Sequence, residues 1–118
     1  MAWGKAGAQV YARTLRYPRN PREKPQEKGI DVQLAVAFEA GAVDWLYDVG
    51  VVVSTDTDIL PAIEYVTGKF PKGRTVEVAA WSSQTANRPL RLGGASMWCH
   101  FLDRADFEMI RDDMVYVR

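Results

Sequence analysis

A chain of 118 residues, 47% hydrophobic and 11% aromatic, is long enough to bury one core and too short for two domains. Its one cysteine, Cys99, excludes an internal disulfide and a cysteine-based zinc cluster and fits a reducing, cytoplasmic setting. No apolar run approaches a membrane span, Met1–Ala8 lacks the apolar core of a signal peptide, and formal net charge is zero, so neither export nor a membrane partner is expected.

Gln9–Tyr17 alternates Val10, Ala12, Thr14 and Arg16 against Tyr11, Arg13, Leu15 and Tyr17, which predicts a strand with one wet face at a sheet edge. Pro18–Gln26 holds three prolines among polar residues and reads as a loop. From Gly29 to about Val43, Ile30, Leu34 and Phe38 share one helical stripe that Val32, Ala35 and Val36 widen, so a helix packed largely into the core is expected. Asp48–Ser54 is an apolar run of strand length and predicts a buried parallel strand. Ile59–Thr67 reads as a helix with Pro61 tolerated in its first turn and Gly68 at its end. Phe70–Arg74 is a turn, Thr75–Trp81 a short strand, Ser82–Arg88 a polar stretch with room for one helical turn, and Leu90–Gly94 a loop. Met97–Leu102 is a short apolar strand, and Asp103 caps an amphipathic helix to about Asp112. This alternation implies an α/β three-layer sandwich around a mostly parallel sheet. Neither a GxGxxG nor a P-loop signature accompanies it.

The charges are segregated. Residues 1–28 carry seven Lys/Arg against two Glu, a net of +5, whereas residues 31–64 carry seven acids and no Lys or Arg, a net of −7. Such a pattern suits a metal site beside a polyanion track, and it equally suits two segments that neutralise each other. Two of the acids, Asp56 and Asp58, arrive just after the valine-rich strand. Ligands of open α/β sheets gather at the carboxyl ends of strands, and crowded carboxylates are held together by a hard cation such as Mg²⁺ or Mn²⁺. The plainer alternative is that one of the pair caps the following helix while the other is solvated. Asp31 stands in the first turn of the preceding helix, where the helix dipole alone would favour it.

Lys28-Gly29-Ile30-Asp31-Val32, an apolar helix, Tyr47-Asp48 and then Val53-Ser54-Thr55-Asp56-Thr57-Asp58 with Pro61 together resemble the NYN domain, a branch of the PIN-like nucleases. The resemblance runs from about Lys28 to Val78, and Trp81 and Trp98-Cys99-His100 are similar to the carboxyl end of an actinobacterial type. It implies a PIN-like, Rossmann-like core over 28–118, preceded by a basic strand and proline-rich loop over 1–27. It further implies metal-dependent cleavage of RNA phosphodiesters, with Asp31, Asp56 and Asp58 as Mg²⁺ or Mn²⁺ ligands and catalytic acids. Ser54 and Thr55 would shape the loop and Thr57 would meet phosphate, while Arg13 and Arg16 of the basic segment are candidate RNA contacts.

Two departures bear on activity. The family begins with a strand bearing a ligand Asp in a "DxxN" setting that Met1–Gln9 does not supply, so the sheet is expected to be incomplete at its N-terminal side. Ala37 stands where many relatives carry another acid. An alternative function follows: a catalytically inactive PIN-like interaction module that pairs with an intact relative or with itself. The incomplete sheet is expected either to be completed across chains in a homodimer or to take the Gln9–Tyr17 strand into the vacancy. The Cys99–His100 neighbours cannot pair on one strand, because adjacent side chains face opposite ways. Trp45 and Trp98 are expected in the core, and Trp81 near the site face.

Overall fold

The first strand forms where the sequence is densest in β-branched residues, and the helix between the first two strands supplies the crossover that their parallel pairing needs. In the computed structural model, which describes residues 2–72, 75–83, 89–93 and 97–113, the elements run in the following order. They are α1 (Ala2–Lys5), α2 (Ile30–Val43), β1 (Val49–Val53), a 3₁₀ turn (Thr57–Ile59), α3 (Leu60–Lys69), β2 (Thr75–Trp81), β3 (Cys99–Leu102) and α4 (Arg104–Ile110). The strands form one parallel sheet in the order β1-β2-β3. The chain is thus a small α/β fold, and β1–α3–β2 is its βαβ unit.

Register divides the sheet into two faces. Val52 lies opposite Val78, and Val78 opposite Cys99, so Gly50, Val52, Val76, Val78 and Cys99 share one side. Here the core sits: Val52, Val76 and Val78 join Ala42 of α2, Ile59 of the 3₁₀ turn, Ala62, Ile63 and Val66 of α3, and Leu90. Ile63, Val66 and Val78 are the largest side chains fully withdrawn from water. The helix α2 reaches the sheet through Phe38, whose ring lies where a Cβ on Gly50 would stand, and Tyr47 fills the space beside it. The Tyr47 hydroxyl donates to the Phe38 carbonyl at 2.7 Å, and the two rings stack at 5.6 Å.

Both long helices cover this one face. The short α4 has at most slight contact with the sheet, and among the described residues the two long helices form one layer on the three strands. Val49, Val51 and Val53 of the opposite face are half-exposed or more.

Local chemistry explains most element ends. Gly29 adopts φ 81° at the start of α2, a left-handed conformation that glycine enters without a Cβ penalty. The far end of α2 closes with Leu46 N–H donating to Gly41 at 2.9 Å around Trp45 at φ 58°. That left-handed position turns the Trp45 indole outward, 69% exposed, and overrides the expected core placement. Asp103 caps α4 in a reciprocal box: it accepts from Ala105 and Asp106 N–H, and the Asp106 carboxylate accepts from Asp103 N–H.

The N-terminal segment departs from expectation. Gln9–Tyr17 is exposed and belongs to no sheet; its single pairing is an antiparallel bridge between Arg16 and Gln26 that closes the proline-rich loop. A period-2 pattern needs a partner edge to become a strand, and among the described residues this segment lies along none. Residues 84–88, within the expected polar turn, lie outside the described residues, as do 73–74 of the turn before β2 and Gly94. No described helix is long and apolar enough to cross a membrane.

Candidate functional site at the carboxyl end of the first strand

The chain leaves β1 through Ser54-Thr55-Asp56-Thr57-Asp58, and this loop is built by its own side chains. The half-buried Ser54 Oγ accepts from Asp56 N–H at 3.0 Å. Asp56 in turn accepts from Asp58 N–H through Oδ1 at 2.9 Å and caps the 3₁₀ turn. Two consecutive side-chain-to-backbone bonds hold the loop, as expected where short polar residues compete for backbone donors. Thr55, Asp56, Thr57 and Asp58 are all exposed, whereas Ile59 anchors the turn in the core.

Topology brings Asp31 to the same end of the sheet. The five-residue link 44–48 ties the C-terminus of α2 to the start of β1, and α2 runs back over the strand to touch the 3₁₀ turn beyond its end. Asp31, in the first turn of α2, is exposed. Sharing one end of the sheet is a weaker condition than sharing a pocket, however. Among the described residues no three His, Cys, Asp or Glu side chains gather closely enough to hold a metal ion. Asp31, Asp56 and Asp58 are chemically suited to Mg²⁺ or Mn²⁺, yet as arranged they do not form a ready three-ligand site. One Asp56 oxygen is already engaged as a cap.

The basic segment starts beside this end. Arg13 donates through its guanidinium to Gln33 Oε1, on the first turn of α2. Arg16 is fixed by backbone bonds to Gln26 in both directions, each 2.9 Å, which leaves its side chain projecting from an exposed loop. Among the described residues none of Arg16, Arg19, Arg22, Lys24 and Lys28 forms an ion pair with a carboxylate.

A second polar feature lies on the open face of the sheet. His100 Nε2 sits 2.6 Å from Glu77 Oε2, on neighbouring strands, and the exposed Trp98 ring meets the imidazole edge-on at 6.2 Å. Trp98 is 68% exposed, against the expectation of a core tryptophan. Strand alternation did place His100 opposite the half-buried Cys99, but Glu77 as its neighbour depends on the β2–β3 register, which the sequence does not carry. Trp81 ends β2 at the carboxyl edge, 56% exposed.

Comparison with protein-family models, with curated proteins and with solved structures found no match to this chain.

Proposed function

We propose that this chain is a divergent NYN/PIN-like domain that engages RNA phosphodiesters at the carboxyl end of β1, in a cytoplasmic setting. One observation supports this reading above the others. A parallel sheet sends Asp56 and Asp58 out of the strand at the end where α2 begins with Asp31, and Arg13 anchors the basic arm at the same first turn. Backbone phosphates would meet the arm, and Thr55 and Thr57 are exposed beside the acids to donate hydroxyl hydrogen bonds. The finer PIN-like three-layer arrangement belongs to this proposal as well. Because the three acids do not form a ready metal site, the reading derives no hydrolytic step through a metal ion; cleavage is a question for experiment.

The test compares labelled single-stranded RNA incubated with Mn²⁺ and either the native chain or Asp56→Asn. Asparagine keeps an oxygen for the cap and removes the charge. Cleavage by the native chain that the variant loses supports a nuclease. Equal cleavage by both, or none by either, removes the nuclease part. RNA binding that weakens steeply with added salt would still support an RNA-engaging domain, and salt-independent or absent binding removes that part too.

A second reading is favoured by a separate observation. Val49, Val51 and Val53 leave the outer face of β1 uncovered, which suits a module whose work is to pair with another chain.

A further inference from the structure

We propose that two copies of this chain form a homodimer by exchanging their basic arms, residues 9–17 of each copy lying as an added strand along the free edge of β1 in the other. This deepens the interaction reading above and rests on it, not on the RNA reading.

The strand β1 offers an edge of the kind that recruits another strand. Among the described residues it pairs with β2 on one side only. Its sequence, Val-Gly-Val-Val-Val, has no charge, no proline and no bulge to blunt that edge. Bare N–H and C=O groups there make main-chain bonds to an incoming segment, and the flanking valines provide apolar cover.

The arm has the complementary properties. Its nine residues are exposed and alternate in side-chain size, and among the described residues Arg16 alone of the nine has a backbone partner. Laid beside β1 in the register that turns Val10, Ala12 and Thr14 inward, it would set these smaller residues beneath the Phe38 ring that crowds Gly50. Tyr11, Leu15 and Tyr17 would then extend the open face next to Val51, itself 49% exposed.

Charge selects a second copy as the occupant. The arm carries Arg13 and Arg16 and no acid, the loop after β1 carries Asp56 and Asp58, and among the described residues neither arginine forms an ion pair with either aspartate inside one protomer. In a two-fold exchange each arm meets the other copy's Asp56 and Asp58, and the interface is self-complementary.

The test is sedimentation equilibrium on the full chain from about 1 to about 100 µM, native and as Tyr11→Pro and Ala12→Pro. Successive N–H groups of a strand point to opposite sides, so one of the two prolines removes an N–H directed at β1 in either register, while both positions are exposed and, among the described residues, make no hydrogen bond in the protomer, so the fold is kept. Expected are a native dimer, a rise in Kd of about tenfold or more in at least one proline variant, and a further rise at about 1 M salt. A native monomer throughout the range overturns arm exchange and the self-pairing form of the interaction reading, and leaves pairing with a different chain as the remaining form of that reading. A dimer whose Kd neither proline changes overturns arm exchange while leaving an interaction module that pairs by another surface.

Discussion

Gly50 sits where two aromatic rings close over β1, and its replacement by alanine tests the packing of α2 on the sheet. A Cβ built there would lie 2.6 Å from Phe38 Cε2 and 2.8 Å from Tyr47 Cε2. To reach ordinary contact at 3.4 Å the Phe38 ring must retreat by about 0.8 Å. Neither ring is free to do so independently. They stack on each other at 5.6 Å, and the Tyr47 hydroxyl is tied to the Phe38 carbonyl at 2.7 Å. Overpacking of this kind costs about 1–3 kcal/mol, equivalent to a Tm loss of roughly 4–12 °C at about 4 °C per kcal/mol. Gly68→Ala serves as the opposite control. It lies within α3 with nothing within 4 Å of a built Cβ, so alanine gains about 0.5–1 kcal/mol of helix propensity. The assay is thermal and urea unfolding at one fixed chain concentration, so that any self-association enters equally. Adding Phe38→Leu to Gly50→Ala should make the double variant less destabilised than the two single changes predict together. Gly50→Ala within about 0.3 kcal/mol of the native chain would refute the argument.

Three other changes probe the frame around the site. Ile63→Ala, at a fully buried position, is expected to cost about 2–5 kcal/mol by urea unfolding, because α3 and the sheet cannot collapse into the space. Asp103→Ala removes the acceptor for two N–H groups of α4 and should cost about 0.5–2 kcal/mol, read most directly as faster hydrogen exchange at Ala105 and Asp106. His100→Ala and Glu77→Gln, combined in a double-mutant cycle, should show a coupling of no more than about 1 kcal/mol, since the pair is partly open to water.

The readable parts of this sequence were those written in a local code. Asp103 ahead of an amphipathic stretch is enough to place the start of α4, and the structure adds Asp106 to the cap. The valine run fixed β1 to within a residue at each end, and the helical stripe beginning at Ile30 placed α2. What was not legible depended on partners. Gln9–Tyr17 has the alternation of a strand, but alternation states only which faces would be apolar; pairing requires an edge in reach. Trp45 looked like core because its neighbours are apolar, yet its left-handed backbone points it away. The site divides in the same way. The capping geometry between Ser54, Asp56 and Asp58 is local and follows from residue type, whereas the separation of Asp31 from that pair is set by how α2 lies over β1. Likewise Glu77 meets His100 through a register that no stretch of either strand encodes.

The two proposals use the same cationic arm, and that makes them jointly testable. Arg13 and Arg16 stand in the arm that is offered to RNA phosphates and, in the exchanged dimer, to the acids beside the other copy's β1. An arm residue paired with carboxylates is less available to a polyanion, so binding of RNA and association of copies oppose each other. Linkage requires that the opposition be reciprocal: whatever factor RNA takes from dimer affinity, dimerisation takes from RNA affinity. Titrating single-stranded RNA into the dimer should therefore release monomer, and whichever of Tyr11→Pro and Ala12→Pro weakens exchange, each leaving every Arg and Lys in place, should bind RNA more tightly than the native chain at the same concentration. Fluorescence anisotropy and sedimentation on the same samples would measure both affinities. RNA that binds without changing the dimer Kd would place the two events on separate surfaces, and the shared role of the arm would then be wrong.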